Sequence, residues 1–82
     1  MTKVKLYTSH FCGDCVAAKY FLTKRGIEFE EIDITNNRDA VETIIAARGK
    51  RVTPTLEFNG NFIDGHRFDP DKFEKDLAKL LG

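Results

Sequence analysis

Two cysteines, Cys12 and Cys15, stand with only Gly13 and Asp14 between them where a strand-like run gives way to a helix-like one, and the chain has no others. That junction constrains how the fold must open. Lys3 to Tyr7 alternates in polarity with Val4 and Leu6 on one face, the period of a half-buried strand. From Cys12 or Gly13 to Arg25, the apolar positions Val16, Ala17, Tyr20 and Phe21 recur at helical spacing. Lys24 and Arg25 suit the negative end of the helix dipole, and Gly26 fits a left-handed cap. Cys12 therefore falls at the first helical turn, where unpaired N–H groups and the dipole favour an anion. Cys15 lies on the next turn, close to Cys12 and facing more toward the protein. Such a pair can close into a disulfide or stay open, and exchange between the two proceeds by thiolate attack through a mixed disulfide. As a staple it is poor, since closing so short a loop contributes roughly 2 kcal/mol before strain is subtracted.

The rest of the pattern completes β-α-β-α-β-β-α over residues 1–82, the length of one domain. A second strand is expected over about Glu28 to Asp33. Its apolar residues change phase, from Ile27 and Phe29 to Ile32 and Ile34, so no register can be assigned to it. Asn36 or Asn37 can cap a second helix with the buried stripe Val41, Ile44 and Ile45, ending at Gly49. Val52-Thr53-Pro54-Thr55 leads into a strand with Leu56 and Phe58 inward. Asn59-Gly60 signals a two-residue hairpin, with Phe62 and Ile63 in the return strand. Asp69-Pro70 opens a last helix, with Phe68 and Phe73 at the positions of a hydrophobic staple and Phe73, Leu77, Leu80 and Leu81 as its core stripe. A helix between strands one and two makes those strands parallel, and the hairpin adds an antiparallel pair. The expected α/β architecture is a mixed four-stranded sheet flanked by three helices. Lys3 and Lys5 sit awkwardly in a strand that should be buried on both faces.

Thirteen basic residues balance thirteen acidic ones, so no net field points to nucleic acid or to an anionic membrane. No apolar run approaches membrane-spanning length, and Met1-Thr2-Lys3 enters the first strand without a signal-peptide core. The expected compartment is cytoplasmic, where a cycling disulfide is ordinary and a permanent one is not. Asp14 either raises the Cys12 pKa by like charge or points to solvent and is screened. Gly13 leaves room for a substrate backbone to approach. Phe11 is an expected docking contact, and Thr53, if its bond to Pro54 is cis, can pair with an extended substrate like a short added strand. Lys50, Arg51 and Arg67 are either a cationic rim or simply solvated. Cys12, Cys15, His10 and His66 offer four metal ligands on paper, but their spacing fits no zinc motif, and no metal is expected.

The segment Tyr7-Thr8-Ser9-His10-Phe11-Cys12-Gly13-Asp14-Cys15, Val52-Thr53-Pro54 before the hairpin and Gly65 before the last helix together resemble the glutaredoxins over essentially the whole chain. The resemblance implies the thioredoxin fold, a cis Pro54 beside the cysteines, Cys12 as nucleophile and Cys15 as resolving thiol. The residues expected to meet substrate are Phe11, Gly13, Asp14, Thr53, Pro54, Gly65, His66 and Arg67. Departures bear on the electron donor. Gly13 and Asp14 replace the usual proline and aromatic residue, Ser9 stands where a lysine often binds a glutathione carboxylate, and Asp64 replaces the first glycine of a usual pair. Gly65, Arg67 and Asp69 are closer to the glutaredoxin-like redoxins that reduce ribonucleotide reductase and take electrons from thioredoxin reductase, although Phe68 stands where those have proline. The expectation is a monomeric thiol–disulfide oxidoreductase acting on protein or small-molecule disulfides, with thioredoxin reductase as donor and no tightly bound cofactor beyond the Cys12–Cys15 disulfide. The alternatives are a glutathione-dependent glutaredoxin, a carrier of a glutathione-ligated iron–sulfur cluster and a binding module without reductase activity.

Overall fold

Residues 3–10, 12–65 and 69–81 are described by the computed structural model. Their elements run β1 (Val4–Thr8), α1 (Gly13–Lys24), β2 (Phe29–Asp33), α2 (Arg38–Arg48), β3 (Thr55–Phe58), β4 (Asn61–Asp64) and α3 (Pro70–Leu81), the expected order. The sheet order is β2-β1-β3-β4, with β1 parallel to β2 and antiparallel to β3, and β3 antiparallel to β4. This is the thioredoxin fold.

Local chemistry sets the element ends. The Asn37 side chain accepts from the Ala40 N–H and caps α2, and Gly49 closes it in the left-handed region at φ 82°. Asn59 and Gly60 both take positive φ, as a tight hairpin turn of this hand requires. Asp69 Oδ1 accepts from the Asp71 and Lys72 N–H groups at the start of α3. The Phe68 half of the expected staple lies outside the described residues.

Two apolar layers form, one on each face of the sheet. Val4, Leu6 and Leu56 pack with Ala18 and Leu22 of α1 and Phe73, Leu77 and Leu80 of α3. Tyr7 and Ile34 pack with Ala40 and Ile44 of α2 and with Val52. Strand β2 serves both layers, with Phe29 on the first and Ile32 on the second, and this accounts for the change of phase in its apolar residues. Lys5 shares a face with Tyr7, but α2 covers only the Tyr7 end. Lys5 is exposed and stands opposite Glu30 on one neighbouring strand and Glu57 on the other.

Three expected stripes need correction. In α1 the buried residues are Cys15, Ala18 and Leu22, with Phe21 partly buried, whereas Val16 and Tyr20 are 69% and 62% exposed. The helix has apolar residues around much of its circumference, so periodicity could not say which stripe meets the sheet. In α2 the small Ala40 is buried with Ile44, while Val41 is only partly buried and Ile45 is exposed. Leu81 is also exposed at the end of α3, and Phe58 is half-buried rather than fully inward.

Candidate active site

The C-terminal end of β1, the start of α1 and the approach to β3 converge on Cys12. Cys12 is the N-cap of α1, in an extended conformation, and its Sγ accepts the Cys15 backbone N–H at 3.1 Å. A sulfur in that position meets one of the donors that a helix start leaves unpaired, which favours its anionic form. The two sulfurs are bonded to each other, with Cα atoms 5.2 Å apart. They are not equally accessible, for Cys15 is only 5% exposed while Cys12 is half-buried. Gly13 is exposed with nothing within 4 Å of where a Cβ would stand, and Asp14 is half-buried in the first turn.

Thr53 forms the facing wall. Its Oγ1 lies 3.8 Å from Cys12 Sγ and its carbonyl oxygen 3.9 Å, and its hydroxyl pairs with Ser9 Oγ at 2.9 Å. The Thr53–Pro54 peptide bond is cis. Pro54 is buried, and its carbonyl accepts the Gly65 N–H at 2.9 Å. A Cβ on Gly65 would stand 3.0 Å from Pro54 Cγ, so glycine is favoured there by close packing rather than by backbone conformation. Cys12, Cys15, Gly13 and Asp14 lie at the start of α1, with Thr53 facing Cys12 and Pro54 and Gly65 packed behind it. Phe11, His66 and Arg67 lie outside the described residues.

A cavity of about 320 Å³ opens beside the sulfurs, lined by Thr8, His10, Cys12, Cys15, Glu31 and Asp33 among others. The parallel register sets Thr8 opposite Asp33, which turns the acidic end of β2 toward the start of α1. Thr8 Oγ1 donates to Glu31 Oε2 at 3.3 Å, and Lys19 Nζ pairs with Glu31 Oε1 at 2.9 Å. His10 Nε2 meets Asp33 Oδ2 at 2.7 Å. The Thr35 N–H and hydroxyl, with a smaller contribution from His10, hold the Asp33 carboxyl below its usual pKa. The meeting of Thr8 with Glu31 and Asp33 depends on the β1–β2 register, and none of Lys19, Glu31 and Asp33 carries a local sequence signal. On the other side, Arg51 joins Ser9, His10, Thr35 and Thr53 around a second hollow of about 500 Å³. Lys50, the neighbouring cation, is exposed and does not line that hollow. Among the described residues no group of three or more His, Cys, Asp or Glu is gathered for a metal ion.

The glutaredoxin family model matches residues 4–63. A Mycobacterium tuberculosis protein named as a glutaredoxin is 39% identical over 77 residues, which cover 93% of this chain and 87% of that one. Glutaredoxin 3 of Escherichia coli is 31% identical over 65 residues, covering 79% of this chain and 78% of its own. The structure is also similar to that of the glutaredoxin-like protein NrdH-redoxin from Escherichia coli, described as having a thioredoxin-like activity profile. There the TM-score is 0.73 at 29% identity, covering 89% of this chain and 92% of that one. With its fold, its paired cysteines at a helix start and these relatives, the chain belongs to the glutaredoxin family and is a thiol–disulfide oxidoreductase.

Proposed function

We propose that the chain reduces protein disulfides by dithiol exchange, with Cys12 as nucleophile, Cys15 as resolving thiol and thioredoxin reductase as electron donor. The inequality of the two sulfurs carries this reading. Cys12 is reachable and accepts a helix-start N–H, while Cys15 is 5% exposed behind it. The Cys12 thiolate attacks one sulfur of the substrate disulfide, forms a mixed disulfide and releases the first substrate thiolate. The Cys15 thiolate then attacks Cys12 Sγ, forms the Cys12–Cys15 disulfide and releases the second. Two electrons pass to the substrate, whose thiolates take protons from solvent, and the donor returns two electrons to the pair.

Gly13 leaves space for the incoming chain, and Thr53, beside Cys12, offers it a backbone for strand-like pairing. The sequence resemblance makes Phe11, His66 and Arg67 further substrate contacts in this reading, and an Asp14 charge felt at Cys12 would make the couple more reducing, which Asp14→Asn tests. The Gly65, Arg67 and Asp69 pattern and the similarity to NrdH-redoxin support the donor assignment. Cycling of the pair fits a reducing cytoplasm and a monomer meeting its partners in turn. A second reading, glutathione as donor, is favoured by one observation, that Arg51 lines the hollow beside Thr53 where a glutathione carboxylate would find a cation.

Insulin reduction driven in parallel by thioredoxin reductase and by glutathione with its reductase separates these readings. Thioredoxin reductase should sustain turnover, Cys12→Ser should abolish it, and Cys15→Ser should accumulate a trapped adduct with the protein substrate. Turnover by Cys12→Ser would sink the nucleophile assignment. Turnover with glutathione alone would overturn the donor assignment and leave the exchange chemistry standing.

A further inference from the structure

Ser9 and Thr53 come from loops 44 positions apart in the chain, yet their hydroxyl oxygens are 2.9 Å apart and either can be the donor. Both residues are half-buried. Thr53 also presents two groups to Cys12 Sγ at nearly equal range, a hydroxyl at 3.8 Å and a carbonyl oxygen at 3.9 Å. A protonated thiol can use the carbonyl, whereas a thiolate accepts only and needs the hydroxyl hydrogen. Thr53 has one such hydrogen. Given to Ser9, it is lost to the sulfur. Given to the sulfur, it leaves the Thr53 oxygen free to accept from Ser9.

We infer that Ser9 is a positioning residue for the exchange reaction, acting through Thr53: when Cys12 is anionic, Ser9 donates to Thr53 Oγ1 and Thr53 donates to the sulfur. When the sulfur is bonded, the same pair is free to run in the opposite direction. This inference rests on the reading of Cys12 as nucleophile. No proton passes between Ser9 and Thr53, because the two arrangements of that pair differ only by rotation of two hydroxyl groups. The Ser9–Thr53 bond is present in both states, but it strengthens when Thr53 donates onward to a charge. Ser9 therefore contributes the cooperative part of the stabilisation and Thr53 the larger, direct part.

The test is the pH dependence of iodoacetamide alkylation in a Cys15→Ser background, where Cys12 is the only thiol. The parent midpoint should lie below the ordinary thiol value of about 8.5. Ser9→Ala should raise it by about 0.3 of a unit and Thr53→Val by up to about one unit, the range of a weak hydrogen bond to a charged group. Ser9→Thr, which keeps the hydroxyl, should leave it in place. In the Thr53→Val background, Ser9→Ala should add nothing. A Ser9 shift that persists in full without the Thr53 hydroxyl would overturn the relay. A low parent midpoint that Ser9→Ala does not move would overturn it too, leaving the nucleophile reading intact. A parent midpoint at the ordinary thiol value would overturn that reading and this inference with it. Melting curves of the same variants distinguish a merely structural role, which would lower the melting temperature and leave the midpoint unmoved.

Discussion

Gly65→Ala places a single methyl group in an unusually tight contact beside the cis proline. The new Cβ would stand 3.0 Å from Pro54 Cγ and 3.4 and 3.6 Å from two carbons of the Phe73 ring. Comfortable carbon–carbon contact is about 3.5–4.0 Å, so Pro54 must give way by roughly 0.5 Å. Neither neighbour has slack, because Pro54 and Phe73 are both among the most buried residues of the chain. The Gly65 N–H also donates to the Pro54 carbonyl at 2.9 Å, so the two backbones cannot part without losing that bond. Overpacking of this kind costs about 1–3 kcal/mol. Alanine reduces unfolded-state entropy and returns about 0.4–1 kcal/mol, which leaves a net loss of about 1.3 kcal/mol from the mid-range values. For a domain of this size that is a fall in melting temperature of about 5–10 °C. Gly13→Ala is the control, since a Cβ there meets nothing within 4 Å. Thermal melts followed by circular dichroism measure both. Insulin reduction well below the melts should also slow for Gly65→Ala, because a displaced Pro54 carries Thr53 away from Cys12. A Gly65→Ala melt within about 2 °C of the parent would show that the close approach does not constrain the site and would refute the packing argument.

Burial, and next the bond it donates to Glu57 Oε1 at 3.1 Å, pushes the Tyr7 phenol up to about 12. The unfolded phenol ionises near 10, so the stability gained by holding the proton is fully present below about pH 10 and lost as the pH rises through about 12. Urea unfolding at about pH 9 and 11 should therefore show a loss larger by about 1 kcal/mol in the parent than in Tyr7→Phe, and equal losses would contradict this. Ile44→Ala removes a fully buried side chain from the layer between α2 and the sheet and should cost about 2–5 kcal/mol in the same assay. Tyr20→Ser, on the exposed face of α1, should change stability by less than about 0.5 kcal/mol, and a core-sized loss there would restore the stripe expected from periodicity.

What could be read from the chain before its structure divides along a physical line. Caps and turns are decided within a few residues, and so Asn37, Gly49, Asn59 and Gly60 stand where their chemistry placed them. The face of α1 is decided elsewhere. Val16 and Tyr20 are as apolar as Leu22, and only the shape of the sheet selects Cys15, Ala18 and Leu22, two of them small enough to let the helix approach closely. The same line runs through the site. The cysteines and Pro54 announce themselves because their covalent chemistry is unusual wherever they occur. Ser9, Thr8, Glu31 and Asp33 do not, because a hydroxyl or carboxylate is ordinary until another segment supplies its partner. Thr8 meets Glu31 through the β1–β2 register, and Ser9 meets Thr53 across 44 residues. These long-range polar pairs are also the groups that stand around the two sulfurs. Two chains with identical Cys-Gly-Asp-Cys segments can therefore differ in sulfur reactivity through residues that no local motif contains. Comparing such chains by their Ser9, Thr53 and β2 positions is the physical basis on which their reactivities should be ranked.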